Sequence, residues 1–292
     1  MKNKKFVSAI MTPTFLYLGL FMFVPILGNI AVSFMDYNPL RTDNAFIGLE
    51  NYARMLGDDS FYKALGNTLV FVVITVALNI LLSLTIATLI SQLKSNKTRS
   101  FFRMIAFLPC IAPLVASSVV WLRSIYPTQS GLLNMIIKAC GGGAINWLGS
   151  ADYLMIAAVI FTLWADIGYN IILFSAGIDG IPGEFYQASS LDGAGRWRQF
   201  KKITLPLLGR TTAFVLIMTL ISHFQMFAQF NVLAYRGTGP QESGLVLTSY
   251  IYKMAFEQKE MGYASAISMA LFVIILIITL IQQRLSKVDW EY

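Results

Sequence analysis

Apolar residues in this chain come in six long runs, separated by short segments in which charges, glycines and prolines collect. The runs fall at about residues 11–34, 67–92, 101–125, 153–177, 206–227 and 261–282. About 20 residues of α-helix cross a hydrocarbon layer roughly 30 Å thick, and every run reaches that length. A helix satisfies its own backbone hydrogen bonds in lipid, so the pattern predicts an all-α, polytopic membrane protein. Residues 1–292 are read as one transmembrane domain of six spans.

The first run follows Lys2, Lys4 and Lys5, as a secretory signal would, and Ala31-Val32-Ser33 supplies a small-x-small site. A signal core is only about 7 to 15 residues long, so the longer run is read as a retained span. Pro13 and Pro25 are expected to start and kink it. The third run is interrupted by Pro109 and Pro113. Backbone groups freed by proline must be satisfied by neighbours or water, which predicts a bent helix lining a cavity or gate.

Between the runs, Asp36 to Gly66 reads as a loop with short helices, and Tyr126 to Asp152 as an outer loop containing Gly141-Gly142-Gly143. Phe230 to Glu260 holds the turn cluster Gly237-Thr238-Gly239-Pro240 and a short helix at about Leu245 to Phe256. The most distinctive polar segment is Ile181 to Leu207. Pro182 and Glu184 suit a helix start, and that helix is expected to reach about Leu191. Asp192-Gly193 and Gly195 break it, and Arg196 to Ile203 forms a second short helix with Trp197, Phe200 and Ile203 on one face. Pro206 is expected to open the fifth span.

Composition agrees with a membrane chain: 56% of the residues are hydrophobic and 13% charged, against about 25% charged in ordinary soluble domains. The net charge of +7 does not call for nucleic acid, because no basic stretch is interleaved with a base-stacking set of aromatics. Fourteen of the 22 Lys and Arg lie in the N-terminus, the second–third and fourth–fifth connections and the C-terminus, close to span ends, and the other eight lie in the alternate loops. The positive-inside rule therefore puts both termini and the segment 181–205 in the cytoplasm. Lys287, with Arg284, closes the last span. Cys110 and Cys140 have no partner at metal-ligand spacing, so no metal site is expected.

The series Gln187-Ala188-Ser189, Asp192-Gly193-Ala194 and Ile203-Thr204-Leu205-Pro206 resembles the "EAA" cytoplasmic loop of membrane subunits of binding-protein-dependent ABC importers. It is most similar to their carbohydrate branch, the maltose and glycerol-phosphate permease type. Gln187 stands where that family most often has Glu, and Ser189 where it has the second Ala. Ile47-Gly48-Leu49-Glu50-Asn51-Tyr52 resembles the family's first outer loop, and Tyr252 with Ala255-Phe256 resembles its helix after a Gly-Gly-Pro turn. The resemblance covers nearly the whole chain. It implies the type I importer permease fold in a prokaryotic plasma membrane, with the loop 181–205 docked in a groove of a separate ATPase dimer that binds ATP and Mg. The residues read as carrying that coupling are Phe185, Gln187, Ala188, Ser189, Leu191, Asp192, Gly193 and Trp197. The small ones permit close backbone approach, and Phe185, Leu191 and Trp197 are apolar anchors for a partner pocket. A second, similar permease forming a heterodimer, an external solute-binding protein and a sugar cargo are the other implied partners. No cofactor is expected in this chain itself.

Polar groups at mid-membrane depth mark a cargo path, because they are unfavourable there unless they serve something. Asp166, flanked by Trp164, Tyr169 and Asn170, is the clearest case, and His223, Phe224, Gln225 and Gln229 extend the set in the fifth span. A carboxylate can read sugar hydroxyls while aromatic rings cover the apolar sugar face. The resemblance adds that Asp166, Tyr169 and Gln225 stand at or near sugar-contacting positions of maltose-type permeases. Each residue has a structural alternative. Asp166 could pair with His223 or Arg123, His223 could serve only as an interhelical hydrogen-bonding group, and Gln229 could lie at the outer interface.

No GxxxxGK[ST] is present, so the chain does not hold and hydrolyse ATP by itself, and no HExxH or GxSxG supports an intramembrane enzyme. A stand-alone carrier using Asp166 and His223 as a relay, a permease for glycerol phosphate, and a loop 181–205 that lies on anionic lipid remain the competing readings.

Overall fold

The computed structural model describes residues 4–286, so Lys2 and Lys287 lie outside the described residues. Five helical stretches within it are long and apolar enough to cross a membrane: α1 (Val7–Ser33), α3 (Asp59–Ser91), α7 (Ala151–Asp179), the run Gly209–Leu233 that holds α10 (Gly209–Phe224) and α11 (Ala228–Leu233), and α13 (Met261–Leu285). A sixth is a broken pair, α4 (Asn96–Ile111) and α5 (Leu114–Ile125), bent by 91°. Shorter helices lie between them: α2 (Glu50–Leu56), α6 (Leu132–Ala139), α8 (Gly183–Leu191), α9 (Arg196–Gln199) and α12 (Leu247–Tyr252).

The break between α4 and α5 has a local cause. Ala112, ahead of Pro113, is held extended at φ −69° and ψ 137° because the proline ring disfavours α geometry in the residue before it. Other prolines act differently from expectation. Pro13 lies inside the first helix rather than at its start, and Pro25 follows a π-turn at Gly19–Phe23 that accommodates the missing donor without breaking the span. Pro206 does not open the fifth span. It sits in Leu205–Leu207, continuous with α9 through a π-turn at Phe200–Thr204, and the span itself begins after Leu208 as α10. Gln225–Phe227 then interrupts the run before α11.

The chain divides into two compact units. One comprises the chain through Tyr62 with Tyr250–Val273. The segment after α1 is more ordered than a loop reading suggests: Met35–Asp36 pairs antiparallel with Ala45–Phe46. Asn51 explains part of the 47–52 motif, because its side-chain amide donates to the carbonyls of Ser33 and Met35 at 3.0 Å each and so clasps the end of α1. The Tyr52 hydroxyl lies 2.7 Å from Ser33 Oγ. Asp58 caps the helix that follows, accepting from the Ser60 and Phe61 N–H groups, and its other oxygen accepts the hydroxyls of Tyr250 and Tyr263. That cap is why α3 starts at Asp59, well before the apolar run.

The second unit is Lys63–Ser249 with the remainder of α13 from Ile274. Its core includes Ala87, Ile90, Ile171, Phe174, Ile178, Leu208 and Val215. Gly168 lets α4 and α7 touch, since a Cβ there would collide with the Ala106 carbonyl. A buried polar bridge joins three helices: the Asn170 amide donates to Asn79 Oδ1 at 2.7 Å and to Thr219 Oγ1 at 2.9 Å. Such interhelical bonds contribute about 0.6 to 2 kcal/mol each in a membrane.

Candidate functional site

Where α4 and α5 break, the second unit has an open-sided cavity of about 690 Å³. One wall is α7. Thr162, Asp166 and Tyr169 are spaced at i, i+4 and i+7 and so share a helix face, and all three line the cavity. Another part of the lining comes from the interruption after α10, which contributes Gln225, Met226 and Phe227, and from the start of α11, which contributes Gln229. Pro109 and Cys110 come from the α4 end of the break. The expected bent helix thus borders the space that holds the mid-span carboxylate.

The predicted cargo residues separate by helix face. Asp166, Tyr169, Gln225 and Gln229 line the cavity. His223 lies behind it, fully buried, with Nε2 3.4 Å from Asp166 Oδ2. Its Nδ1 stands 2.7 Å from the Thr219 carbonyl, and because a carbonyl only accepts, Nδ1 carries the proton of that bond. Nε2 then meets the carboxylate at ion-pair distance without hydrogen-bond alignment. Asn170 is committed to the bridge with Asn79 and Thr219, and Phe224 is buried at 2% exposure; neither lines the cavity. Arg123 is exposed on α5, and the structure pairs Asp166 with His223 instead.

Gln229 is buried within the chain. It is 1% exposed, and neither its amide nitrogen nor its carbonyl oxygen has a protein partner; the Thr162 hydroxyl is in the same state. Buried polar groups without partners are unfavourable by about 1 to 3 kcal/mol, and a hydroxyl-rich molecule in the cavity could satisfy them. Thr162 carried no signal in the sequence beyond its helical spacing from Asp166. Among the described residues no group of His, Cys, Asp and Glu could hold a metal. Cys110 is half-buried and Cys140 exposed, both as free thiols.

The segment 181–205 is a second candidate surface. Gly193 takes φ +75°, a left-handed turn that joins α8 to α9 and that glycine adopts without strain. Gln199 ties the two helices, its amide donating to the Tyr186 carbonyl and to Ser189 and Ser190 Oγ at 2.9 to 3.2 Å. Leu191 is 91% exposed, Trp197 74% and Phe185 44%, and Gln187, Ala188, Asp192 and Gly193 are also exposed. Ser189 is half-buried, donating to the Tyr186 carbonyl at 3.0 Å. Trp197 stacks on Phe200 at 5.7 Å, whereas Ile203 turns inward to pack on the core. The loop is therefore a braced platform that leaves Phe185, Leu191 and Trp197 exposed.

Six apolar spans, one of them broken beside a cavity that holds a carboxylate, and a braced polar loop carrying exposed apolar side chains define a membrane transport component. Residues 79–287 match the family described as binding-protein-dependent transport system inner membrane component, and the chain belongs to that family. It is 32% identical to the probable ABC transporter permease protein YurN of Bacillus subtilis over 99% of both chains. It is also 32% identical to the arabinooligosaccharides transport system permease protein AraP of the same organism, over 97% of this chain and 90% of that one. A crystal structure of a bacterial alginate ABC transporter, in complex with alginate pentasaccharide-bound periplasmic protein, contains a chain that superposes with a TM-score of 0.86. That match has 21% identity and covers 98% of this chain and 95% of the other. The chain is thus a membrane subunit of an ABC transporter and not an enzyme in itself.

Proposed function

We propose that this chain forms half of the translocation path for a di- or oligosaccharide, with Asp166, Tyr169, Gln225 and Gln229 contacting the cargo. The observation that carries the proposal is the cavity at the α4–α5 break, where a carboxylate, an exposed tyrosine and buried polar groups without partners converge. The relatives' names support the cargo class, since AraP is named for arabinooligosaccharides and the alginate transporter was captured with a saccharide-loaded periplasmic protein. A solute-binding protein outside, a second permease subunit beside and an ATPase dimer on the cytoplasmic loop 181–205 complete the machine. ATP and Mg sit in those ATPases, whose closure reaches the spans through Phe185, Gln187, Ala188, Ser189, Leu191, Asp192, Gly193 and Trp197. Both termini are cytoplasmic in this reading, as the distribution of Lys and Arg requires.

A stand-alone carrier with Asp166 and His223 as a proton relay is the second reading, favoured by their 3.4 Å contact. Reconstitution separates the two. In proteoliposomes, labelled oligosaccharide uptake by the complete transporter should require ATP on the ATPase side and the binding protein on the other, and this chain alone should give no uptake. Uptake by the chain alone under a proton gradient would establish the carrier instead.

A further inference from the structure

We propose that the cleft beneath the α8–α9 loop is a binding site for a phosphate-type anion, either the headgroup of an anionic phospholipid or a soluble phosphate ester. The cleft has a volume of about 710 Å³ and lies among the ends of α3, α4 and α7 and the inner side of the loop. It is distinct in position and chemistry from the cargo cavity, with no lining residue in common.

Three guanidiniums line it, Arg99, Arg103 and Arg196, against one carboxylate, Asp179, among the described residues. Arg103 spends one arm on Asp179, with Nη2 at 2.8 Å, and its Nε is buried without a partner. Arg99 donates through Nε to the Leu93 carbonyl at 2.7 Å, and Arg196 through Nη1 to the neutral Gln92 side chain at 3.1 Å. Two of the three positive charges therefore have no anion within the lining. A solvated charged face would leave these side chains free in water, but Arg99 and Arg103 are half-buried and each is held by a hydrogen bond that orients its fork. Oriented guanidiniums match phosphate oxygens bidentately, and an anion between them removes their mutual repulsion. The cleft is far larger than one phosphate, leaving room for the glycerol or sugar that an ester carries. Basic pockets at the cytoplasmic ends of spans are where anionic headgroups bind, and the positive-inside assignment puts this cleft on that side. A ligand held by Arg99, Arg103 and Arg196 would also pin α9 to α4, so occupancy would bear on how the loop passes movement to the spans.

The test is native mass spectrometry of the full chain, stripped of lipid in detergent and offered three probes: dioleoylphosphatidylglycerol, dioleoylphosphatidylcholine and glycerol 3-phosphate. The parent should bind phosphatidylglycerol or glycerol 3-phosphate at least about tenfold more tightly than phosphatidylcholine, whose headgroup carries no net charge for the arginines to pair with. Gln92→Glu keeps all three arginines and sets a carboxylate against Arg196, and it should abolish that preference, as should Arg99→Gln with Arg196→Gln. The control pair Lys94→Gln with Arg198→Gln removes the same charge from exposed positions outside the cleft and should leave the preference intact. Phosphatidylglycerol that glycerol 3-phosphate fails to displace identifies a lipid site, and displacement identifies a site for soluble esters. No preference in the parent, or equal loss in the control pair and in Gln92→Glu, would overturn the proposal.

Discussion

Asp166 stands between two environments, with His223 behind it and the cavity at the α4–α5 break in front. Asp166→Asn preserves size and removes the charge that a sugar hydroxyl would bond. Hydrogen bonds to charged groups are worth about 1.5 to 3 kcal/mol, so labelled sugar uptake by the complete transporter should fall about 10- to 100-fold at unchanged expression. Unchanged uptake would make the His223 pairing structural. Asp58 illustrates a different use of a carboxylate. Partial burial would raise its pKa, but the hydroxyls of Tyr250 and Tyr263 and the N–H groups of Phe61 and Ser60 outweigh that and hold it below the ordinary value. A carboxylate with a lowered folded-state pKa stabilises the fold above its unfolded pKa of about 3.9 and loses that contribution as pH falls through the folded value. Asp58→Asn should therefore lower the thermal midpoint at neutral pH, by an amount equivalent to about 1 to 2 kcal/mol, and flatten the acid-side loss of stability seen in the parent. Thermal unfolding followed from pH 7 to pH 3 checks both outcomes.

At the scale of elements, close helix approach and loop geometry are the sensitive features. Gly168→Val would drive a side chain into the backbone of α4 at Ala106, and because two packed helices cannot both yield, the expected outcome is loss of folded, detergent-stable protein. Size-exclusion chromatography of the solubilised variant reads this directly, and Tyr169→Ala, at the next position of the same helix, should remain monodisperse because that side chain faces the cavity. The α8–α9 platform makes the opposite prediction. Ala188→Glu, Leu191→Asp and Gly193→Trp alter exposed positions, so the chain should still insert and fold, with Gly193→Trp straining a left-handed turn. The ATPase that co-purifies with the parent should be lost from the triple variant. Helix existence was legible here from capping and turn residues, since Pro182, Asp192 and Gly193 act within a few residues of themselves. The role of Pro206 was not, because π-turns at positions such as Phe200–Thr204 depend on how a helix end packs and leave little mark in periodicity.

At the scale of the whole molecule, the number of apolar spans and the family were readable from the sequence alone. A bilayer imposes a local rule, since each crossing needs about 20 apolar residues and each cytoplasmic connection collects Lys and Arg. The loop motif is likewise contiguous, so Gln187 to Gly193 announced itself. The composition of the cavity was not local. Asp166, Asn170 and His223 are all polar residues within apolar runs, yet they ended on different surfaces. Asn170 lies one turn from Asp166, but its amide turned to Asn79 and Thr219, while His223 came to lie behind the carboxylate and Gln229 was buried beside the cavity. The arginine cleft draws on residues far apart in the chain, such as Arg99 and Arg196. The sequence by itself determined which segments enter the membrane and which remain outside, because hydrophobic transfer is a property of each segment. Only the tertiary structure decided which polar side chains share a space, because that depends on the rotation of each helix about its axis and on the 91° break at Pro113.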